Sequence, residues 1–421
     1  MGDQVESINT TVPVQNVVKQ RVLGGGIDIP LILTTLTLII FGLLMIYSAS
    51  WDYSFLEYQD PTYIFKQQLT WLVVGLIAAV VCAVVDYHQW EHLALPAIVI
   101  TLLMLLVVLF MGKTSGDPRP VRSLIERSVR PSELAKLTTI LYLSVWLISR
   151  KEQLNTWNLG FAPLSAILGI MGAVIAIQPD LSAAMTVIIL GGLLFFLAGS
   201  NFRQITVFLL GVLFIGMILI LLTDTTRKNR LTEYIDGLRD PVNASFHVKV
   251  SLGSFAKGGW IGVGVGKSDT KLINLPVPFT DSIFAVVGEE TGFLGASLIV
   301  LLFIMICWRS LLISHKAPDL LGKLIAAGLG FWIMIEAIMN MGGMLGLLPF
   351  PGNALPFISY GGSNLVVTLA AIGILINISR LAYKNQNERI QPFHAVVDLR
   401  GRHGRRRVPR FVYPTSHVKD E

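Results

Sequence analysis

The sequence contains little charge. Of its 421 residues only 14% are Asp, Glu, Lys or Arg, whereas soluble globular domains carry about 25%. Hydrophobic residues make up 53% of the chain. These values argue against a soluble enzyme, a disordered tail protein and a coiled coil. A lipid bilayer solvates apolar side chains and makes charges costly, so the composition predicts an all-α polytopic membrane protein.

Cysteine and nucleotide-binding motifs are also scarce. The two cysteines, Cys82 and Cys307, lie in apolar runs and offer neither a disulfide framework nor metal-type spacing. Residues 262–268 resemble a nucleotide loop, but Ile261 stands where a P-loop needs glycine. Lys267 likewise stands where the dinucleotide fingerprint needs its third glycine. We interpret this run as a flexible glycine turn and predict no nucleotide site.

About ten apolar windows approach the length of about 20 residues that a membrane-spanning helix needs. They are residues 29–48, 69–86, 94–111, 133–149, 160–177, 181–198, 204–222, 283–306, 322–340 and 363–380. The first window predicts an uncleaved membrane anchor. The predicted domains are an N-terminal tail (1–28), a ten-helix membrane domain (29–380) and a basic C-terminal tail (381–421). The positive-inside rule and the even number of spans predict that both termini are cytoplasmic.

Three segments are then predicted on the extracytoplasmic side. They are residues 112–132, 223–282 and 341–362. The second is the largest hydrophilic piece of the chain and lies between spans seven and eight, so any chemistry is predicted at the outer face. Arg119, Arg122 and Arg130 make the first segment basic. Either such loops are translocated despite their charge, or these arginines face an anionic ligand such as a phosphate.

Acidic residues stand out within the last spans. Asp281 is predicted at the mouth of the eighth span, where a carboxylate could simply cap the helix or could be functional. Glu289 and Glu290 follow about two turns later, and Glu336 and Asn340 lie one turn apart in the ninth span. Acids at that depth are costly and usually face the bundle interior. We interpret the two pairs as parts of one polar interior.

Several stretches together resemble the SEDS family (shape, elongation, division and sporulation). They are residues 178–181, 258–268, 281–290 and 348–363, the last of which ends in Ser-Tyr-Gly-Gly-Ser. Arg130, Pro131, Ser132 and Glu133, followed by Lys136, resemble the motif that enters the fourth span of the family. The resemblance covers roughly residues 30–380. It implies a bundle of ten helices, in agreement with the count of apolar windows.

The resemblance implies a peptidoglycan glycosyltransferase that polymerises lipid II, an undecaprenyl-pyrophosphate-linked disaccharide peptide, during cell division or elongation. The reaction would take place at the outer face of the bacterial cytoplasmic membrane. The implied partners are a class B penicillin-binding protein and other division or elongation machinery, and no nucleic acid. Asp281 corresponds to the catalytic carboxylate of the family. A divalent cation, Mg²⁺ or Mn²⁺, is expected from the resemblance, with its ligands unknown, and no nucleotide is expected.

Residues around this aspartate are predicted to bind the substrate. They are Arg119, Arg122, Arg130, Lys267, Lys271, Glu289, Glu290, Ser359, Tyr360 and Ser363. The sequence departs from the family at Phe279, where histidine is common, and at Glu336, where glutamine is usual. Two other functions stay open at this point. They are a flippase for the lipid-linked precursor and a non-catalytic activator of a transpeptidase.

Overall fold

The structure is a computed structural model that describes residues 26–114, 130–178, 180–222, 225–273 and 277–390. Within these ranges the chain forms thirteen α-helices and no strand. In chain order they are α1 (Ile29–Tyr58), α2 (Tyr63–Val84), α3 (Gln89–Thr114), α4 (Pro131–Ser149), α5 (Ala162–Ile177), α6 (Leu181–Leu197), α7 (Phe202–Leu222), α8 (Thr225–Arg239), α9 (Phe246–Gly258), α10 (Thr270–Ile273), α11 (Ile283–Lys316), α12 (Leu320–Met344) and α13 (Gly362–Ile390).

Each of the ten windows predicted from the sequence coincides with one of these helices, namely α1 to α7 and α11 to α13. In the described part of the chain, seven helices are long and apolar enough to cross a membrane: α1 to α3, α5 with the turn before it, and α11 to α13. The first part of α7 and all of α6 are shorter apolar helices. The remaining predicted window corresponds to α4, which is not among these apolar helices and carries the charged residues Glu133 and Lys136. The prediction of an all-α polytopic membrane protein is confirmed.

Burial places α12 and α13 at the centre of the bundle. In each of them 72% of the apolar window is buried within the protein, compared with 17% for α2. Polar side chains on the inward faces of these central helices are therefore removed from both lipid and water. Such groups are costly unless they are paired, and this requirement explains the networks described below.

The helices bring both ends of the membrane domain to one end of the bundle, which we call the terminal end. Here the Ser379 hydroxyl donates to the Gly26 carbonyl at 3.0 Å, and Arg309 Nε donates to Asp28 Oδ1 at 3.0 Å. Tyr87, between α2 and α3, donates its hydroxyl to an Asp319 carboxylate oxygen at 2.9 Å. Asp281 lies at the opposite end, which we call the Asp281 end, because α11 begins there and ends near Arg309.

The segment predicted as a large hydrophilic loop, 223–282, contains three helices, α8 to α10. Among them α9 packs against α11. Its buried residues Val248, Ser251, Ser254 and Gly258 recur at intervals of three or four, so that they share one helix face. This packing fixes the backbone that precedes Asp281 to the helix that follows it.

Candidate functional site

Asp281 lies in the turn that precedes α11. The helix begins at Ile283 and its N-cap residue is Ser282, so Asp281 is not the cap that its position suggested. Its Oδ1 atom instead accepts a hydrogen bond from the Thr280 hydroxyl at 3.0 Å. The side chain is partly exposed. A carboxylate in this position remains available to a ligand.

Two asparagines hold the backbone around Asp281. Asn340 on α12 donates from Nδ2 to the Asp281 carbonyl at 2.9 Å and to the Asn353 carbonyl at 2.7 Å. Asn353 in turn donates to the Glu336 carbonyl at 3.0 Å. Gly352, with φ of +67°, lies so close that an added Cβ would be 3.6 Å from Asp281 Oδ2. The segment between α12 and α13 therefore forms one wall beside the carboxylate.

The Ser-Tyr-Gly-Gly-Ser stretch lines the same end of the bundle. The Tyr360 amide donates to the Phe279 carbonyl at 2.9 Å, and its hydroxyl donates to Gln67 Oε1 on α2. Burial raises the pKa of Tyr360 to about 12, with smaller contributions from nearby tyrosines, so the hydroxyl stays protonated near neutral pH. Ser359 is buried and accepts from the Leu355 amide at 2.8 Å. Tyr360 thus bonds through its backbone amide to the segment that carries Asp281 and through its side chain to α2.

A buried ionic triad lies on the inward faces of α4 and α12. Lys136 Nζ is 2.8 Å from Glu133 Oε2 and 2.7 Å from Glu336 Oε1. Asn364 on α13 also donates to Glu133 Oε2, at 2.9 Å. All three members of the triad are more than 90% buried. Because Asn353 bonds to the backbone of Glu336, the triad also supports the wall beside Asp281.

Glu289 and Glu290 belong to a different network, which corrects the prediction of one polar interior. Glu290 Oε1 accepts from the Ser48 hydroxyl on α1 at 2.6 Å and from Lys271 Nζ at 3.1 Å. Glu289 accepts from the Ser268 hydroxyl. The side-chain partners of this pair come from α1, from the segment 266–271 and from α9, where Lys257 Nζ is 3.8 Å from Glu289 Oε1, whereas those of Glu336 come from α4 and α6. The two acidic pairs brace different parts of the bundle.

Lys271 therefore does not lie where the sequence placed it. It was predicted to meet the substrate with Lys267, but its side chain is 6% exposed and its charge is paired with Glu290. Lys267 is exposed. The position of Lys271 in the chain suggests a ligand contact. In the fold, however, the buried carboxylate of Glu290 on α11 lies beside Lys271.

Residues 258–268 are a docked segment, which corrects the prediction of a flexible glycine turn. The Val263 and Gly264 amides donate to the carbonyls of Glu289 and Glu290, each at 3.0 Å. The segment fills a break in α11 at Gly292, where φ is +69° and ψ is −168°. A Cβ on Gly262 would lie 2.2 Å from the Glu290 carbonyl oxygen, so only glycine permits this approach. The glycines serve close packing of backbone on backbone.

Removing one partner of the Lys271–Glu290 pair should destabilise the protein. Lys271→Met leaves Glu290 buried with only Ser48 as a donor, and we expect a loss of about 2–3 kcal/mol. Lys271→Met combined with Glu290→Gln removes both charges and should recover most of that loss. Thermal unfolding in detergent measures both variants, with Lys249→Met, an exposed lysine on α9, as the matched control. Equal losses in the single and double variants would contradict the pairing.

The remaining predicted residues are the three arginines and Ser363. Arg119 and Arg122 lie outside the described residues. Arg130 precedes α4, and its amide donates to the Ser363 hydroxyl at 3.1 Å. This bond joins the start of α4 to the start of α13 and brings Arg130 to the Asp281 end of the bundle.

Comparison with known proteins identifies the family. Residues 29–384 match the FtsW/RodA/SpoVE family, described as "Cell cycle protein". The chain belongs to this family. A probable peptidoglycan glycosyltransferase FtsW from Geobacter metallireducens is 37% identical over 355 residues, which cover 84% of this chain and 94% of that protein. Stage V sporulation protein E from Bacillus subtilis is 35% identical over 355 residues, covering 84% and 97%. The predicted SEDS resemblance is confirmed.

Solved structures share the fold of this FtsW/RodA/SpoVE member. A chain of a peptidoglycan synthase complex, solved in a study of how polymerisation and crosslinking are coordinated, has a TM-score of 0.69 at 25% identity and covers 85% of this chain and 99% of that one. The rod shape determining protein RodA of Thermus thermophilus has a TM-score of 0.62 at 23% identity, covering 85% and 98%. The RodA likeness concerns the fold alone.

The divalent cation expected from the family resemblance stays a prediction. Among the described residues, no group of three or more His, Cys, Asp and Glu side chains could hold a metal ion. Asp281 has Thr280 and the Gly352 backbone as neighbours. These groups supply one carboxylate, which by itself does not form a protein cage for Mg²⁺.

Sequence reasoning left Glu133 and Lys136 out of the predicted site residues. Their only signal was the motif at the start of α4 within the family resemblance. Lys136 bonds to Glu336, which is 200 residues away in the chain. No periodicity or local spacing indicates such a partner, so only the tertiary fold reveals the triad.

Proposed function

We propose that this protein is a peptidoglycan glycosyltransferase that polymerises lipid II, with Asp281 as its catalytic carboxylate. The observation that carries the proposal is the geometry at Asp281. Its backbone is fixed by Asn340, while its carboxylate stays partly exposed beside Gly352. Family membership supports the reaction class, because relatives with more than 30% identity over most of the chain are named peptidoglycan glycosyltransferases.

The chemistry needs one displacement. The acceptor 4-hydroxyl oxygen attacks C1 of the donor sugar, and the bond from C1 to the pyrophosphate oxygen breaks. The bonding electron pair leaves with the lipid pyrophosphate, while the hydroxyl proton passes to the Asp281 carboxylate as general base. Attack from the opposite face converts an α-linked pyrophosphate into a β-1,4 bond, with inversion at C1. The donor already carries its leaving group, so no nucleotide is required.

Basic side chains at the Asp281 end would stabilise the departing charge. Arg130 stands at the start of α4, next to Ser363, and Arg119 and Arg122 precede it in the chain. Guanidinium groups match phosphate oxygens in bidentate geometry. A divalent cation, if used, would arrive with the pyrophosphate and take Asp281 as a single protein ligand, as Mg²⁺ commonly does in phosphate sites. The step above does not depend on it.

The orientation of the protein follows from its basic tail. The positive-inside rule places the terminal end of the bundle in the cytoplasm, and so Asp281 lies at the outer face of the bacterial cytoplasmic membrane. Lipid II is used there in division or elongation. The partner is a class B penicillin-binding protein, which crosslinks the strand. Likeness to a chain of a peptidoglycan synthase complex supports this partnership.

Reconstitution with lipid II tests the function. The purified protein and its class B partner, with penicillin present to block crosslinking, should convert lipid II into glycan strands resolvable on a gel. Omitting the protein gives the background. Movement of lipid II across sealed vesicles without strand formation would favour the flippase. Strand formation by the partner alone would favour the non-catalytic activator.

A further inference from the structure

A cluster of aromatic side chains extends from the Asp281 segment to the corner between α1 and α2. Phe279 contacts the rings of Tyr53 and Tyr360, with ring centroids 5.2 and 5.7 Å apart. At the corner, Tyr58 and Tyr63 stack with centroids 4.1 Å apart and an angle of 20° between their planes. Their exposed fractions are 46% and 40%. We call Tyr58 and Tyr63 the tyrosine pair.

Hydrogen bonds connect α2, the helix that begins with Tyr63, to the candidate site. Tyr360 bonds through its amide to the Phe279 carbonyl and through its hydroxyl to Gln67 on α2, one turn after Tyr63. The pair is thus a continuation of the wall around Asp281, with Tyr360 as the link.

The corner carrying the tyrosine pair lies where hydrocarbon gives way to water, and it also carries the exposed apolar side chains of Trp51, Phe55 and Leu56. α1 continues ten residues beyond its apolar window, from 49 to 58, a rise of about 15 Å. The corner carries Asp52, Glu57 and Asp60, and Lys66 pairs with Asp60 at 2.9 Å. Charges of this density do not suit the hydrocarbon core. A stacked and partly exposed pair of tyrosines there is suited to a polar ligand that also has apolar faces.

We infer that the tyrosine pair is a saccharide-binding subsite that holds peptidoglycan sugars next to the reacting centre. Pyranose rings present flat C–H faces to aromatic rings and hydroxyls to phenol and amide groups, and tyrosine offers both kinds of contact. The inference rests on the proposed function. A polymerase must keep hold of its strand between additions, and a subsite beyond Asp281 would do so without taking part in the displacement.

Strand length tests the inference within the reconstituted reaction. Tyr58→Ala and Tyr63→Ala should shorten glycan strands about two- to tenfold, because each removes one aromatic contact, while Tyr63→Phe keeps the ring but loses the hydroxyl and should lie between the wild type and Tyr63→Ala. If the subsite binds the incoming lipid II rather than the strand, the KM for lipid II should rise by a similar factor. Trp157→Ala, which removes an exposed aromatic outside the cluster, is the matched control. Unchanged length and KM in both alanine variants would overturn the inference.

A binding measurement separates this inference from the proposed function. Chitotetraose, a soluble β-1,4 oligosaccharide, is titrated into the Asp281→Asn protein in detergent and followed by calorimetry. Binding should weaken about two- to tenfold on adding Tyr58→Ala or Tyr63→Ala. Should the tyrosines instead anchor the corner to the bilayer surface, both substitutions would lower thermal stability in vesicles and leave chitotetraose binding unchanged. That outcome would overturn the saccharide subsite even if the wild-type protein polymerises lipid II.

Discussion

Asp281→Asn should lower glycan strand synthesis from lipid II by about 10²–10⁴-fold, the usual contribution of a positioned general base. The amide has nearly the same size as the carboxylate but cannot accept the proton of the acceptor hydroxyl. The fold should be retained, because Asn340 holds the backbone carbonyl at this position and the side chain is partly exposed. Strand synthesis is measured on gels, and folding by the thermal unfolding midpoint in detergent.

Asp269→Asn is the matched control for this experiment, because Asp269 is an exposed aspartate in the same segment between α9 and α11. It should keep wild-type activity. Asp281→Glu retains the charge but moves it by one methylene group, and it should lie between the wild type and Asp281→Asn. If Asp281→Asn polymerises lipid II at the wild-type rate, another group must accept the proton and the assignment of Asp281 is wrong. The family membership would be unaffected.

Lys136→Met should cause the largest loss of stability that the structure predicts. It leaves the carboxylates of Glu133 and Glu336 buried without their shared cation, and breaking a buried ion pair in this way costs about 3–5 kcal/mol. The triad joins α4 to α12, and Glu133 reaches α13 through Asn364. We therefore expect a lower unfolding midpoint in detergent together with a loss of strand synthesis.

Removing the charges together should reverse the effect. Lys136→Met with Glu133→Gln and Glu336→Gln leaves no ion in the triad, and replacing a whole buried ionic group is often close to neutral for stability. Lys323→Met, an exposed lysine on the same helix as Glu336, should change stability by less than about 0.5 kcal/mol. A triple variant as unstable as Lys136→Met would show that packing of the lysine, rather than its charge, supports the bundle.

Much of the fold could be predicted from the sequence because a bilayer imposes a simple requirement. A spanning helix needs a long apolar run, and the ten windows found in this way are the ten helices α1 to α7 and α11 to α13. The windows did not reveal that α1 continues to Tyr58 or that α11 continues to Lys316. Beyond the apolar run no hydropathy signal marks the end of the helix, because backbone groups outside the hydrocarbon can bond to water in either a helix or a loop.

The candidate site likewise has features that could be predicted from the sequence and features that could not. The position of Asp281 just before α11 could be predicted, because a carboxylate at the mouth of an apolar span is visible in the sequence. The environment of Lys271 could not, since its partners Ser48 and Glu290 come from two other helices, one of them 223 residues away. The same reason explains why a glycine-rich run read as a turn proved to be a segment docked on α11.

The sequence by itself determined the class of the protein, its helices and its family, because these depend on composition, apolar run length and local motifs. Only the tertiary structure decided which charges are available for chemistry. It paired Lys136 with Glu133 and Glu336, and Lys271 with Glu290, while leaving Asp281 partly exposed. The physical reason is that a buried charge must find an opposite charge in space. Part of the scarce charge of this sequence is thus used to hold helices together.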